Sequence, residues 1–246
     1  MNVQRIHLPV TESTNTALRQ WIDTHTCSEE FILLDADAQT CGRGQRGNHW
    51  ESQAGLNLTF SLACHPQEIA PAHQFVLSQA IALAVQESLA QWTEGFTVKW
   101  PNDIYWRDRK VSGTLIESDL QGKRIRTCII GTGINVNQTR FLSDAPNPAS
   151  LRQILGRPVD REHLLQAVLH AFVRRYRQIQ QGQAPALHAD YMTRLYRAQG
   201  LHPYADAHDT FLAEIADILP TGHLILRRQD GRLSRYEFKE VTFLHD

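Results

Sequence analysis

The stretch Cys41-Gly42-Arg43-Gly44-Gln45-Arg46-Gly47-Asn48-His49-Trp50 determines how the rest of the chain is interpreted. Its glycines match the spacing G-x-G-x-x-G, which permits positive φ angles and close approach of the backbone to a ligand. The two arginines between them add forked donors suited to a carboxylate or phosphate. A dinucleotide-binding turn must open a helix, but residues 48–55 show no helical period, and residues 56–62 alternate like a strand. We therefore predict an anion-binding loop between two strands rather than a Rossmann turn.

Composition indicates an ordinary globular protein. The chain has 246 residues, of which 42% are hydrophobic and 21% charged, values typical of a globular enzyme. No apolar run approaches the roughly 18 residues of a membrane span, and the N-terminus has no signal-peptide core. The four cysteines are widely separated and form no C-x-x-C pair, which favours reduced thiols in a cytoplasm and predicts neither disulfides nor a zinc site. A formal charge of −1 indicates no general attraction to nucleic acid.

Hydrophobic periodicity predicts an α+β fold. Strands are predicted near residues 3–10, 31–38, 55–64, 96–100, 111–118 and 126–136, the last three forming an antiparallel meander. A short helix is predicted to follow the turn and N-cap residues 11–15 and to end at about residue 23. Further helices are predicted near 71–92, 160–181 and 185–198. The composition shifts near Gly200, and only short strands follow, near 211–218, 223–228 and 234–243. We predict a catalytic domain over residues 1–198 and a small β-barrel over residues 199–246.

Three further segments carry residues suited to chemistry. Lys99-Trp100-Pro101-Asn102-Asp103 is predicted to end a strand, and the side-chain oxygens of Asn102 and Asp103 suit Mg²⁺ that is shared with substrate phosphates. The segment 110–117 begins with a lysine, and Gly113 permits close backbone approach. The segment 131–137 places Asn135 beside glycines, where its amide can meet an adenine edge or a phosphate. Taken singly, such loops and lysines are more often turns and solvated charges.

In order along the chain, these segments resemble the biotin protein ligases. The resemblance is carried by Ser13-Thr14-Asn15, Gln39, Gly42–Gly47, Trp50, Lys99–Asp103, Lys110-Val111-Ser112-Gly113 and Gly131–Asn135, and it covers essentially the whole chain. It implies a class II synthetase-like mixed or antiparallel sheet with helices, plus a C-terminal SH3-like β-barrel. It also implies an ATP-dependent enzyme that forms biotinyl-5′-AMP and transfers biotin to a lysine of a biotin carboxyl carrier protein or carboxylase subunit.

The resemblance assigns a role to each matching residue. It implies that the catalytic residues are Lys110 and Arg43, and that Mg²⁺ is held by Asn102 and Asp103. The implied biotin-binding residues are Ser13, Thr14, Asn15, Gln39, Arg43, Gly44, Gln45, Lys110 and Gly113. The implied ATP- and adenylate-binding residues are Arg43, Arg46, Trp50, Asn102 and Asn135.

Two departures from the family pattern leave alternatives open. Gln45 stands where well-known members have arginine, so one charge near the phosphate is lost. Only twelve residues precede Ser13, whereas the DNA-binding domain of some members needs roughly 60; we therefore expect a short form that does not bind DNA. We also expect it to be cytoplasmic, independent of membranes, and a monomer or homodimer. The alternatives are a lipoate–protein ligase, a bifunctional ligase and repressor, a kinase-like phosphotransferase and a non-catalytic nucleotide-binding module.

Overall fold

A seven-stranded mixed sheet forms the larger part of the molecule. The structure is a computed structural model that describes residues 2–143 and 147–244, without the side chain of Arg46. The strands are β1 (Val3–Thr11), β2 (Phe31–Gln39), β3 (Leu58–Cys64), β4 (Phe96–Lys99), β5 (Asp103–Trp106), β6 (Arg109–Gln121) and β7 (Arg124–Ile134). Their order is β1-β2-β3-β7-β6-β5-β4. Only β1 and β2 pair in parallel; the other neighbours are antiparallel, so the predicted meander is confirmed.

The segment Lys99–Asp103 does not simply end a strand, as the sequence predicted. It forms the turn of a hairpin, because β4 ends at Lys99 and β5 begins at Asp103, its partner in register. The sequence interpretation missed β5, since four residues beside turn-forming Asn102 are too few to display alternation. The hairpin places the functional side chains of this segment at one end of the sheet.

Helices cover both faces of this sheet. They are α1 (Thr14–Thr24), α2 (Phe75–Ala90), α3 (Leu151–Leu155), α4 (Arg161–Gln180) and α5 (Ala184–Thr193). The predicted helix at 71–92 is shorter, because residues 71–73 form a separate 3₁₀ turn. The short helix α3 was not predicted, although Ser150 and Gln153 form a capping box there. No helix in the described part of the chain is both long and apolar enough to cross a membrane.

Alternation along β2 and β3 separates the two sides of the sheet. Phe31 and Leu33 of β2 belong to the large apolar cluster with α2 and α4, whereas Ile32 packs in a smaller cluster with Leu18 of α1. Phe60 of β3 also faces the large cluster, so its neighbours in the strand face the α1 side. The α1 face therefore carries the polar residues of the sheet and provides the floor of the site.

A second, antiparallel sheet of five strands follows. Its strands are β8 (His202–Ala205), β9 (Thr210–Ile218), β10 (Leu224–Arg228), β11 (Leu233–Tyr236) and β12 (Thr242–Phe243), in the order β11-β10-β9-β8-β12. The predicted strand at 234–243 is two strands, separated by a turn in which Lys239 has a φ of 76°. β8 was not predicted, since Pro203 within a short run argues against a strand. The indole of Trp100 donates to Gly222 O at 2.9 Å and thus joins this sheet to the β4–β5 turn.

A histidine on the first edge strand is expected to make folding stability depend on pH. His7 Nδ1 lies 2.8 Å from Asp35 Oδ2 and Nε2 lies 3.3 Å from Asp37 Oδ2, within a network that also contains Arg5 and Arg161. The hydrogen bond to Asp35, and then the charges of both aspartates, raise the pKa of His7 above 6.5 against the opposing effect of burial. The stability contributed by His7 is therefore complete at acidic pH and disappears as pH rises through that raised pKa.

The matching experiment is thermal unfolding of the variant His7→Gln. The variant should lose roughly 0.2–1 kcal/mol relative to the wild type at about pH 5.5, because the pair is half exposed, and almost nothing at about pH 9. His73→Gln is the control, since His73 is exposed and forms no ion pair with the described residues. An equal loss at both pH values would show that His7 contributes only as a neutral side chain.

Candidate functional site

A cavity of about 750 Å³ opens on the α1 face of the large sheet. It is lined by the β2–β3 loop, by the ends of several strands and by the segment 238–243 of the second sheet. The predicted site residues that line it are Ser13, Thr14, Asn15, Gln39, Arg43, Gly44, Gln45, Trp50, Asn102, Asp103, Lys110, Gly113 and Asn135. The side chain of Arg46, the one remaining predicted residue, lies outside the described part of the structure.

The start of α1 forms a buried polar end of this cavity. The backbone N–H of Thr14 donates to Gln39 Oε1 at 2.8 Å, which joins the helix N-terminus to the end of β2. Asn15 Oδ1 accepts from Ser61 Oγ at 2.5 Å, and Asn15 Nδ2 donates to Glu117 Oε2 at 2.7 Å. The oxygen and the nitrogen of the Asn15 amide thus each have a hydrogen-bond partner, and these two contacts hold the side chain in one orientation. Ser61 and Glu117 were given no role by sequence reasoning, because each is far from Asn15 in the chain.

Gly131 makes room for the Asn15 amide. Ser61 of β3 and Leu115 of β6 both pair with Gly131 of β7, so this glycine lies on the same face as the polar end. A Cβ atom added at Gly131 would stand 2.8 Å from Asn15 Cγ and closer still to Oδ1, well inside van der Waals contact. Gly131 was quoted as part of the family motif, but no function was assigned to it.

The glycine-rich loop joins β2 to β3, as the sequence predicted, and folds back on itself. Gly44 N donates to Asn48 O at 2.7 Å, and Trp50 N donates to Gly42 O at 3.0 Å. Arg43 extends to Glu117, with NH1 3.2 Å from Oε1 and NH2 3.0 Å from Oε2. The guanidinium predicted to meet an anionic ligand therefore already holds a carboxylate in this structure.

Gln45, the departure from the family pattern, points into the cavity. Its Nε2 donates to Thr114 O at 3.2 Å and approaches Asn102 Oδ1 at 3.4 Å. The amide supplies hydrogen bonding without charge at this position.

Trp50 and Asn135 form a third part of the cavity. The Trp50 indole packs against Gly133, where an added Cβ would be 2.7 Å from Cζ2 and closer to other indole atoms. Trp50 Nε1 and Asn135 Oδ1 are buried and find no hydrogen-bond partner among the described residues. Unpaired buried polar atoms are costly. A donor and an acceptor without partners, on two residues that line the same cavity, suit a planar ligand that presents both kinds of group, as an adenine edge does.

The hairpin turn and the start of β6 bring Lys110 and Asp103 together. Lys110 Nζ donates to Asp103 Oδ2 at 2.6 Å. Gly113 provides the space for this pair, since a Cβ there would be 3.2 Å from both Lys110 Nζ and Asp103 Oδ1. Asn102 is buried, and its Nδ2 donates to Ser78 Oγ at 2.9 Å. This hydrogen bond therefore ties the hairpin turn to α2.

Asn102 and Asp103, the residues predicted to hold Mg²⁺, are adjacent at the start of β5, and both line the cavity. The described residues contain no group of three or more His, Cys, Asp or Glu side chains placed to hold a metal ion. Asp103 Oδ2 is occupied by an ammonium, and Asn102 Oδ1 faces the Gln45 amide. A magnesium ion carried by substrate phosphates needs only one or two protein carboxylates, and Asp103 is the carboxylate that fits that requirement.

Comparisons with known proteins agree with this geometry. The model of the "Biotin/lipoate A/B protein ligase family" matches residues 7–135, more than half of the 246 residues. The chain belongs to this family. The biotin protein ligase from Aquifex aeolicus in complex with biotin and ATP has a similar structure over 99% of both chains, with a TM-score of 0.80 and 25% sequence identity.

Curated relatives match part of their length. The bifunctional ligase/repressor BirA of Bacillus subtilis is 35% identical over 156 residues, which are 60% of this chain and 46% of that protein. The biotin–[acetyl-CoA-carboxylase] ligase of Paracoccus denitrificans is 33% identical over 146 residues, which are 56% of this chain and 60% of the relative. The chain thus spans about half the length of the first of these family members.

Proposed function

We propose that this protein is an ATP-dependent biotin protein ligase. A biotin carboxylate oxygen attacks the α-phosphorus of ATP and displaces pyrophosphate, which gives biotinyl-5′-AMP. The amine of an acceptor lysine then attacks the acyl carbon and displaces AMP, with loss of a proton. The observation that carries the proposal is that one cavity joins a buried polar end at Asn15, a cation at Lys110 and unpaired base-binding groups at Trp50 and Asn135.

The polar end suits the ureido ring of biotin. This ring is neutral and carries one carbonyl and two N–H groups, so it needs a few oriented hydrogen-bonding groups within an apolar slot. Ser13, Thr14 and Asn15 are buried at the polar end of the cavity, and Gln39 accepts a hydrogen bond from the first residue of α1. The backbone of Gly44 and the side chain of Gln45 border the slot farther along. We assign these residues to biotin binding.

Lys110 and Arg43 offset the charge that develops in adenylation. The reaction brings a carboxylate close to a phosphate, and donors fixed beforehand stabilise that charge without further reorganisation. Lys110 is held in place by Asp103. Arg43 must release Glu117 to contact the adenylate, and Glu117 can keep the other hydrogen bond that it shares with Asn15.

We assign the adenine to Trp50 and Asn135 and the nucleotide-borne Mg²⁺ to Asp103. The unpaired donor on Trp50 and acceptor on Asn135 match an adenine edge, and Arg46 is assigned to the nucleotide on resemblance alone. When bound, Mg²⁺ would neutralise phosphate charge. Asn102, beside Asp103, is assigned to the same ion and to the adenylate on resemblance, and its Nδ2 is held by Ser78 Oγ.

The acceptor that we propose is a carrier domain of a biotin-dependent carboxylase. The Paracoccus relative is named for such a carboxylase, which supports this choice. We also propose a cytoplasmic location, no DNA binding, a monomer or homodimer, and a domain boundary near residue 199.

The proposal predicts biotin-dependent exchange of labelled pyrophosphate into ATP. The purified protein with MgATP should catalyse exchange when biotin is supplied and show little exchange with lipoate, because the polar slot provides partners for a ureido ring that lipoate lacks. A carrier domain whose acceptor lysine is replaced by arginine is the control for the second step and should remain unlabelled on a streptavidin blot. Exchange supported by lipoate and not by biotin would instead assign the protein to the lipoate ligases of the same family.

A further inference from the structure

Lys99, the last residue of β4, places a second ammonium group in the cavity. Its Nζ donates to the hydroxyl of Tyr105 at 3.3 Å and lies 4.7 Å from the centre of the Tyr105 ring. The ring of Phe243, from the second sheet, lies 5.2 Å away on another side. The group is thus enclosed by aromatic side chains contributed by both sheets.

This ammonium group has no carboxylate partner of its own among the described residues. Arg43 is paired with Glu117 and Lys110 with Asp103. The described contacts of Lys99 are instead the hydroxyl and ring of Tyr105 and the ring of Phe243. Burial lowers the pKa of Lys99, the charge of Asp103 opposes this, and Lys110 and Arg197 lower the pKa further. Enclosing a cation without a counter-ion is unfavourable. The arrangement is one that a ligand with several negative charges would relieve.

The position of Lys99 along the sheet determines which part of a ligand it can meet. The polar end lies over β3 and β7, Lys110 lies on β6 and Lys99 lies on β4, beyond β5. Asp103 is the partner of Lys99 in register and Tyr105 is the partner of Lys110, so the two lysines flank one strand. With strands about 4.8 Å apart, the backbones of β4 and β6 are separated by about 9–10 Å. An extended polyanion can reach both ammonium groups.

We propose that Lys99 binds the terminal phosphates of the nucleoside triphosphate and hence the pyrophosphate that leaves. This inference rests on the proposed function. In phosphoryl and nucleotidyl transfer the attacking and leaving oxygens lie roughly in line across phosphorus. Biotin enters from the β3 side, with the α-phosphate near Lys110, so the leaving group is directed toward the β4 edge. Lys99 is a cation placed there, and Phe243 covers this end of the cavity from the second sheet.

The test measures binding of inorganic pyrophosphate and of biotin to the full chain by calorimetry. Lys99→Met keeps the length of the side chain and its contacts with the rings, and it should weaken pyrophosphate binding about 10-fold or more, the effect of losing one charged hydrogen bond. Biotin affinity should remain within about twofold, because the biotin end is several strands away. Lys123→Met, in the β6–β7 turn outside the cavity, should bind both probes as the wild type does.

The variant Lys99→Arg keeps the charge and should restore most of the pyrophosphate affinity. Unchanged pyrophosphate binding by Lys99→Met would overturn the assignment. This holds even if that variant transfers biotin to the acceptor protein more slowly than the wild type does. Equal loss of biotin and pyrophosphate binding would also overturn it, since Lys99 would then merely support the cavity. A wild-type protein that binds pyrophosphate but supports no biotin-dependent exchange would refute the proposed ligase activity, while a 10-fold loss of pyrophosphate binding in Lys99→Met would still identify Lys99 as a pyrophosphate-binding residue.

Discussion

Lys110→Ala should lower biotin-dependent pyrophosphate exchange by a factor on the order of 10²–10³. This is the usual effect of removing one fixed charged donor at a centre where negative charge develops. In this protein the loss has two components. The ammonium disappears, and Asp103, which it holds at 2.6 Å, is left as an unpaired carboxylate facing the incoming carboxylate and phosphate. The measurement is incorporation of labelled pyrophosphate into ATP at saturating biotin.

A second variant separates these two components. In Lys110→Ala/Asp103→Ala the repelling carboxylate is also removed. The double variant should stay at least as slow as the single variant, because it lacks both the charged donor and the carboxylate assigned to Mg²⁺, whereas regained exchange would show that repulsion by Asp103 causes part of the loss. Lys123→Ala is the matched control, because it removes a lysine outside the cavity. Exchange within a few-fold of the wild type in Lys110→Ala would remove Lys110 from the catalytic residues.

The sequence was sufficient to place the glycine-rich loop. The absence of a helical period after residue 48, followed by alternation over residues 56–62, predicted a loop between two strands, and β2 does end at Gln39 before β3 begins at Leu58. The same kind of pattern predicted the antiparallel meander, although without β5. These predictions succeed because local periodicity records which side of a strand is buried. The short strands β5 and β8 carry too few residues to record it.

The contacts that hold the site together were beyond sequence reasoning. Asn15 meets Glu117 across 102 positions and Ser61 across 46, and both contacts depend on which residues of β3, β6 and β7 share a register. The pairing of Arg43 with Glu117 spans 74 positions and is equally invisible to a local pattern. Lys99 stands in a quoted motif, but its enclosure by the rings of Tyr105 and Phe243, without an ion pair to a carboxylate of the described residues, emerges only when both sheets are in place.

Gly131→Ala should abolish most of the biotin affinity while leaving the fold intact. The added methyl group would occupy the position of the Asn15 amide, and that amide cannot rotate aside without breaking its hydrogen bonds to Ser61 and Glu117. If the displaced amide costs the bound state about two hydrogen bonds to the ureido ring, at roughly 1–1.5 kcal/mol each, the affinity falls about 100-fold. Titration calorimetry with biotin measures this change, and thermal unfolding reports whether the fold survives.

A double-mutant cycle shows whether this effect passes through Asn15. If the methyl group acts by displacing the amide, Asn15→Ala/Gly131→Ala should bind biotin no more weakly than Asn15→Ala alone, because the second substitution then has nothing left to displace. Additive losses would mean that the residue at position 131 contacts biotin directly. Displacement of the Asn15 amide would then not explain the loss of biotin affinity. Gly122→Ala provides the control for glycine replacement: its φ of 60° makes the change strained, yet a Cβ there meets no atom within 4 Å. That variant should lose stability and retain biotin affinity, whereas Gly131→Ala should lose biotin affinity in addition to the stability that the broken Asn15 hydrogen bonds contributed.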